Sequence, residues 1–252
     1  MRPHGGAADP SRLVRAFRIG WAFLSVGAVE TTIFALATLP GILLTAAVLS
    51  VTEGSTPLRV VLVPFIFVPA YVVFAIGLMV YSALVVRALN WRAGPGQAMP
   101  IRSLGWPLLR WVRGLVLQHF VRIFAGHLFR SSPLWTFYLR LNGARLGKDV
   151  YVNSLSIMDH HLISVGDGSV IGSDVHMSGH WVDHGVVRTE SIVIGSGVTI
   201  GINAVVGIGV TIEDGVQVGA LSVVPKYAHL KAGKTYVGAP ARELARSSDS
   251  KP

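Results

Sequence analysis

The chain has 252 residues, 51% apolar and only 14% charged, with a net charge of +9 and no cysteine, which excludes a disulfide scaffold, a cysteine nucleophile and a cysteine-ligated metal. The net positive charge comes from residues 1–130, which hold 12 basic and 3 acidic residues, whereas residues 131–252 hold ten of each and are neutral overall. Because this charge borders apolar stretches instead of alternating with exposed aromatic residues on a soluble face, we predict a membrane partner and no nucleic acid.

Two apolar stretches predict transmembrane helices. The first covers residues 19–51, which is longer than a bilayer requires, so we divide it into an interfacial part up to residue 30 and a span over about residues 31–51. The second covers residues 60–86, which are 27 uncharged residues. Four arginines lie in the basic N-terminus, residues 1–18, and seven lie in residues 87–130. The positive-inside rule then predicts a multi-pass cell-membrane protein with both termini and the C-terminal domain in the cytoplasm.

The next segment, residues 87–133, is basic and rich in aromatic residues. Within it, residues 106–130 carry too many charges to cross a bilayer, but a polar or small residue recurs at every fourth position. This spacing predicts a helix. A helix lying in the cytoplasmic interface of the membrane and a helix packed on the two spans both fit the pattern.

Hexapeptide repeats begin after residue 134 and extend to about residue 245. An aliphatic residue recurs every six positions, usually followed by glycine, at Ile194, Ile200, Val206, Ile212, Val218 and Val224. Val165 and Ile171 start an earlier pair of blocks, and Leu146 and Val152 start a less regular one. Each block predicts one short strand and a turn, and stacked coils bury the aliphatic residues in a common core. The last residues, 246–252, are short and polar, and we predict a disordered tail.

The repeat is interrupted between Met177 and Ile194. Their separation of 17 residues, where 18 would keep the phase, predicts a loss of register and a polar loop. Five of the nine histidines lie between residues 160 and 184. Because segments that leave a solenoid often carry function, this cluster is the candidate site.

The motifs in this region resemble a known family. Ser178-Gly179-His180, a polar loop and the following I-G-x-x-V-x-I-G repeat are similar to galactoside and maltose O-acetyltransferases, and residues 237–242, V-G-A-P-A-R, resemble the closing motif of that hexapeptide superfamily. The resemblance implies a left-handed parallel β-helix, a homotrimer with sites between subunits, and His180 as catalytic base. Asp159 falls near a substrate-binding acid of the family, and with His160 and His184 it forms our predicted substrate-binding set.

The same resemblance implies a thioester donor and no tightly bound cofactor. Lys226 and Arg242 match positions that hold the phosphates of coenzyme A, and Ala220 matches a position lining the pantetheine channel. Ile202 departs from the small polar residue often found in that channel, so we expect a donor channel that differs from the family's. The donor is either an acyl-coenzyme A or a phosphopantetheinyl thioester on a carrier protein, and Lys226 and Arg242 favour coenzyme A.

A second resemblance covers more of the chain. Two spans, an Arg-rich aromatic segment, P-L-W-T-F-Y-L-R-L-N-G-A-R-L-G from residue 133 and D-H-H-L-I-S-V-G-D-G from residue 159 are similar to one membrane-bound C-terminal unit of ε-poly-lysine synthetase-type non-ribosomal peptide synthetases. This resemblance implies aminoacyl transfer from a carrier-protein thioester and a peptide synthetase as partner.

Two other functions remain open at this stage. A non-catalytic trimeric scaffold for a peptide synthetase would use the same fold. A zinc enzyme of the β-helix carbonic anhydrase type would need three histidines, for which His176, His180 and His184 are the candidates. The four-residue spacing of these histidines suits a helix better than a β-helix coil, so we predict no metal site.

Overall fold

The computed structural model describes residues 11–244. The chain forms two compact units, one made of the residues up to Trp91 together with Leu109–Leu128, and the other of Arg92–Leu108 together with the residues from Phe129 onward. The predicted tail, residues 246–252, and the first ten residues of the basic N-terminus lie outside the described residues.

Two long helices dominate the first unit, α1 Arg12–Val51 and α2 Thr56–Ala88. The hydroxyl of Ser11 accepts a hydrogen bond from the N–H of Val14 and so caps α1, which continues as one helix through the expected boundary at residue 30. Both helices are long and apolar enough to cross a membrane, and only 11% of the most apolar window of each is buried. Apolar helices with so little burial are unlike the core helices of soluble proteins.

A third helix packs against both long helices. It consists of α3 Trp106–Val121, a π-helical turn Arg122–Gly126 and the short α4 His127–Phe129. The rings of Phe120 and Phe124 contact Phe34 of α1, and the hydroxyl of Tyr71 in α2 donates to the carbonyl oxygen of Phe124 at 2.6 Å. Of the two arrangements that the sequence left open, the structure therefore shows the packed helix.

Short parallel strands form the second unit, confirming the predicted left-handed parallel β-helix. A helix, α5 Pro133–Leu141, precedes its coils. The strands that follow the linker strand β1 Gln97–Pro100 are β2 Arg145–Leu146, β3 Tyr151–Val152, β4 Ile157–Met158, β5 Ile163–Val165, β6 Val170–Ile171, β7 His176–Ser178, β8 His180–Asp183, β9 Val186–Thr189, β10 Ile192–Ile194, β11 Thr199–Ile200, β12 Val205–Val206, β13 Thr211–Ile212, β14 Gln217–Val218, β15 Val223–Val224, β16 His229–Leu230, β17 Thr235–Val237 and β18 Arg242–Glu243.

The coils stack into three parallel sheets. Their strand orders are β16-β13-β10-β5-β2, β17-β14-β11-β6-β3 and β15-β12-β7-β4, with β18 antiparallel to β17 at the end of the second. Ile194 pairs with Ile212 and Ile200 with Val218, so one coil takes 18 residues, as the six-residue repeat predicts. The aliphatic anchors are buried in the interior, where each coil covers the core of its neighbour.

The repeat is interrupted by a segment that leaves the coils, as predicted, but the coils themselves keep their register. Met177 pairs with Val206 on the third sheet, and Ile194 pairs with Val165 on the first, so Ile194 occupies the position that directly follows Met177 in the repeat. The 17-residue step is one six-residue repeat with eleven inserted residues. The insertion forms an ordered hairpin of β8 and β9, and β1 adds to β9 as a third strand. The predicted polar loop is thus a three-stranded sheet.

Candidate active site

The site lies where the inserted hairpin, residues 180–189, leaves the β-helix. Gly179 joins β7 to β8 and passes very close to the neighbouring coil. A Cβ atom on Gly179 would lie 2.7 Å from Leu162 Cδ1 and 2.9 Å from Asp159 Cβ, distances that side chains do not tolerate. Only glycine therefore allows the hairpin to start against the turn that carries Asp159.

His180 and Asp159 form a hydrogen-bonded pair at this junction. The distance from His180 Nδ1 to Asp159 Oδ2 is 2.5 Å, and the Ser178 hydroxyl lies 2.8 Å from the same nitrogen and 3.3 Å from the same carboxylate oxygen. Asp159 is only 1% exposed, whereas the side chain of His180 is 19% exposed. A carboxylate on Nδ1 favours the tautomer with its proton there, which leaves Nε2 as the basic nitrogen.

The turn that carries Asp159 is held by the two histidines that follow it. Asp159 has a positive φ of 53°, and the N–H of Leu162 donates to its carbonyl oxygen at 2.7 Å. His160 Nε2–H donates to the carbonyl oxygen of Ile157 at 3.0 Å, and His161 Nε2–H donates to that of Ala93 at 2.7 Å. Carbonyl acceptors settle which nitrogen carries the proton in both rings.

His160 lies in the interior and not on the solvent side of the turn. Its ring is 2% exposed and meets the Tyr138 ring edge-on with 5.6 Å between centroids. Burial lowers the pKa of His160 from its ordinary value of 6.5 to about 4, and burial likewise lowers the pKa of His161. Nε2 of His160 bonds the turn and its Nδ1 is buried without a hydrogen-bond partner among the described residues, so this position does not support the prediction that His160 binds substrate, which stays untested.

The far end of the hairpin carries one other predicted site residue, His184. The backbone turns at His184 and Gly185, whose φ values of 46° and 75° are those of a type I′ turn. The side chain of His184 is 99% exposed at this tip. His184 lies in the turn one residue beyond β8, and four residues of extended chain from His180 span at most about 13 Å. His184 therefore stands well away from the Asp159–His180 pair.

Lys226 contacts the hairpin, although a third of its side chain remains exposed. Its Nζ lies 3.0 Å from Asp183 Oδ2 and 5.0 Å from the centroid of the Trp181 ring. The hydrogen bond and charge of Lys226 hold the pKa of Asp183 below its ordinary value. These side chains line a cavity of about 280 Å³ together with Arg188, Ile208 and Tyr227. Two cations and two aromatic rings thus surround the end of β8 opposite His180.

The remaining predicted residues lie on the outside of the later coils. Ala220 and Arg242 are exposed, as is the departing residue Ile202, and Arg242 pairs with Val237 across the last two strands. Among residues 11–244, no three His, Asp or Glu side chains come together as metal ligands. His176 is exposed on β7 and His184 on the hairpin tip, so these two and His180 are separate features of this chain.

Several contributors to the site were not foreseen from the sequence. Ser178 belongs to the motif that drew attention to His180, but its contact with both members of the pair was not predicted. The hairpin residue Thr189 and the linker around Ala93 were also missed, since contacts between residues 68 positions apart (Ala93 with His161) or 95 positions apart (Gly94 with Thr189) leave no local signal in a single sequence.

Comparisons with known proteins give one relative in sequence. No protein-family model matches the chain. Delta-poly-L-ornithine synthetase of Acinetobacter baumannii (strain AB307-0294) is 24% identical over 162 residues, which cover 63% of this chain. The matched region is only 12% of that protein, so this chain corresponds to a small part of its relative.

Solved structures with similar coils include several acetyltransferases. A galactoside acetyltransferase in complex with coenzyme A is 23% identical with a TM-score of 0.39, covering 53% of this chain and 78% of that one. A maltose O-acetyltransferase from Clostridium difficile 630 is 22% identical with a TM-score of 0.35, covering 47% and 80%. Serine acetyltransferase of Neisseria gonorrhoeae in complex with serine is 18% identical with a TM-score of 0.35, covering 89% and 73%. The similarity is one of fold.

Proposed function

We propose that this protein is a membrane-anchored acyl- or aminoacyltransferase in which His180 is the general base. The observation that carries the proposal is the Asp159–His180 pair, with 2.5 Å between Nδ1 and Oδ2, at the root of the inserted hairpin. A buried carboxylate that fixes the histidine ring and stabilises its protonated form is a recurrent arrangement in acyl transfer.

The reaction needs no covalent enzyme intermediate. Nε2 of His180 accepts the proton of an acceptor amine or hydroxyl as that group attacks the carbonyl carbon of a thioester. The new C–N or C–O bond forms, the C–S bond breaks, and the leaving thiolate takes the proton back from the imidazolium. Asp159 is in this scheme a positioning residue, since its carboxylate touches His180 and not the substrate. This role replaces the substrate-binding role expected from the sequence.

The donor is a coenzyme A or phosphopantetheinyl thioester, and the protein carries no tightly bound cofactor. In this proposal, Lys226 and Arg242 contact the phosphates of the donor, and Ala220 lines the channel for its pantetheine arm. The pair of Lys226 with Asp183 means that a donor phosphate must replace a carboxylate on this ammonium group. Exposed Ile202 and Leu221 beside Ala220 offer an apolar surface for the pantetheine arm.

The acceptor and partners follow from the relative. The name delta-poly-L-ornithine synthetase indicates an enzyme that joins amino acids. We therefore favour an amino-acid amine as the acceptor and a carrier protein or peptide synthetase as the partner. His184, on the exposed hairpin tip, would contact an acceptor that extends about 13 Å from His180. The proposal includes a homotrimer, anchored in the cell membrane by α1 and α2.

The test is a transfer assay with the full chain in detergent. One arm offers a radiolabelled aminoacyl thioester on a carrier protein, and a parallel arm offers acetyl-coenzyme A. His180→Ala is the test variant, and His229→Ala is its matched control because that histidine is exposed and pairs with Glu213 on a distant coil. We expect His180→Ala to lower kcat by about 10²-fold to 10⁴-fold, the usual contribution of a general base.

Each outcome has a defined meaning. Transfer from the carrier protein that disappears in His180→Ala supports aminoacyl transfer. Transfer from acetyl-coenzyme A alone restricts the donor to coenzyme A thioesters. Equal turnover in the two variants would remove His180 from the mechanism, and no turnover from either donor would favour the non-catalytic scaffold.

A further inference from the structure

The segment that follows α2 runs along the inserted hairpin. Within this linker, residues 93–101, β1 pairs antiparallel with β9 over four residues, from Gln97 opposite Thr189 to Pro100 opposite Val186. The contact extends past both ends of the strand, because the N–H of Gly96 donates to the carbonyl oxygen of Thr189 at 2.7 Å and the N–H of Ile101 to that of Gly185 at 2.9 Å. The whole length of β9 is therefore covered by the linker.

Two consecutive carbonyl groups of this linker bind the two elements that carry the Asp159–His180 pair. The carbonyl oxygen of Ala93 accepts from His161 Nε2–H at 2.7 Å, and the carbonyl oxygen of Gly94 accepts from the Thr189 hydroxyl at 2.6 Å. His161 lies two residues after Asp159 on the same turn. Thr189 lies directly opposite His180 in the hairpin register.

Burial makes these two bonds effective restraints. Thr189 is fully buried and Ala93 is 1% exposed, so water does not readily replace either partner. The turn that carries Asp159 and the hairpin that carries His180 are 21 residues apart in sequence. Both are thereby hydrogen-bonded to the adjacent peptide groups of the linker. A shift of about 1 Å between reacting groups is enough to cost about 10²-fold in rate, so such a restraint has a measurable consequence.

We propose that the linker is a positioning element of the site, and that its Ala93 and Gly94 carbonyl groups hold Asp159 and His180 at hydrogen-bonding distance. The catalytic consequence rests on the proposed function, whereas the geometric consequence does not. Thr189 and His161 are then positioning residues that act through the linker. The linker begins five residues after Ala88, the last residue of α2. The segment that holds the site in the second unit therefore follows the apolar helix closely in sequence.

The geometric claim is tested without any substrate, using diethyl pyrocarbonate on the full chain in detergent. This reagent acylates basic imidazole nitrogens, and a histidine modified on both nitrogens must have released Nδ1 from its partner. Mass spectrometry of the His180 peptide separates the singly from the doubly modified product. Thr189→Val removes the hydroxyl at nearly constant volume, Thr189→Ser keeps it, and Thr199→Val is the matched control on an exposed strand position of the same β-helix.

We expect the doubly modified fraction of His180 to rise about fivefold in Thr189→Val, the change that loss of one buried hydrogen bond produces. Thr189→Ser should return it towards the wild-type fraction, and Thr199→Val should leave it unchanged. If Thr189→Val does not fold, His161→Leu removes the other restraint and carries the same expectation. A doubly modified fraction equal to wild type in the folded variant would overturn the proposal.

Activity then separates this inference from the proposed function. If the chain transfers acyl groups, Thr189→Val should lower kcat with little change in the KM for acetyl-coenzyme A, and Thr189→Ser should restore it. If the chain shows no transfer at all, the modification result still decides whether the linker positions the pair.

Discussion

At the scale of single residues, the buried carboxylate of Asp159 has the strongest electrostatic effect on the site. Its carboxylate is buried beside His180 and Ser178, and it sits in a left-handed backbone conformation that directs it towards the hairpin. A buried carboxylate is costly unless it is paired and hydrogen-bonded. The pair therefore stabilises both side chains: the hydrogen bond satisfies the carboxylate of Asp159 and orients the imidazole ring of His180.

Asp159→Asn tests this orientation. The amide keeps the size of the side chain but loses the charge and can favour the wrong tautomer of His180, so we expect kcat to fall by at least about 10²-fold with little change in KM. Asp149→Asn is the matched control, because Asp149 is exposed and also has a positive φ. Steady-state kinetics in detergent measure both, and wild-type kcat in Asp159→Asn would deny Asp159 a positioning role.

His160 gives the fold a dependence on pH. Burial lowers its pKa from 6.5 to about 4, so the unfolded chain binds a proton at a pH where the folded chain does not. The free energy of unfolding consequently falls as the pH drops from about 6.5 to about 4, by about 3 kcal/mol in total for this group. Above pH 6.5 the neutral ring contributes no pH dependence.

His160→Asn removes this titration while keeping a donor for the carbonyl oxygen of Ile157. We expect the wild-type melting temperature to fall more steeply between pH 6.5 and 4.5 than that of the variant, because only the wild type must keep a buried imidazole neutral. Thermal unfolding in a non-ionic detergent at several pH values gives the two slopes. Identical slopes would mean that His160 does not titrate differently in the folded and unfolded states.

At the scale of elements, the hairpin and the third helix show two ways of extending a regular fold. The hairpin is inserted between two positions of the repeat without disturbing the stacking of the coils, because the chain leaves and re-enters the solenoid at adjacent sites. The third helix depends instead on close approach. Gly114 of α3 faces the backbone of Trp91, and the guanidinium of Arg113 lies 5.7 Å from the centroid of the Trp91 ring.

Gly114→Ala should disrupt this packing. A Cβ atom at Gly114 would lie 2.0 Å from the carbonyl oxygen of Trp91, and we expect a loss of about 1–3 kcal/mol or more from the overpacking. Gly27→Ala in α1 is the control, since its Cβ would meet no atom within 4 Å and alanine favours a helix. Tryptophan fluorescence during thermal unfolding compares them, and equal melting temperatures would argue against the close contact.

At the scale of the whole molecule, charge and composition determine the proposed orientation. The excess of arginine lies before α1 and after α2, whereas the short connection between the helices contains one acid, Glu53, and is followed by one base, Arg59. The positive-inside rule then predicts that this connection lies outside the cell and that the β-helix lies in the cytoplasm. That arrangement would give the proposed site access to cytoplasmic thioester donors.

The lack of cysteine makes this orientation simple to test, because any cysteine introduced is the only one in the chain. A membrane-impermeant maleimide added to intact cells should label Glu53→Cys, between the helices, and should label Asp149→Cys, on an exposed turn of the β-helix, only after permeabilisation. Labelling of Asp149→Cys in intact cells would place the β-helix outside.

The sequence by itself determined the features that depend on local periodicity. Six-residue spacing of aliphatic residues specifies coils that only stacking can bury, and long uncharged stretches specify apolar helices, so the β-helix and both long helices were predictable. The Ser178-Gly179-His180 motif singled out His180 through its resemblance to a known family, and the role of His180 as general base stays a prediction.

Only the tertiary structure decided which distant residues meet at the site. Asp159 and His180 come together because one coil stacks on the next. Ala93 and Gly94 bind His161 and Thr189 on the same turn and hairpin because the linker adds a strand to the hairpin. The inward position of His160 depends on contacts with Tyr138 of a preceding helix. Such choices follow from long-range packing and hydrogen-bond satisfaction, which the local pattern of a single sequence does not encode.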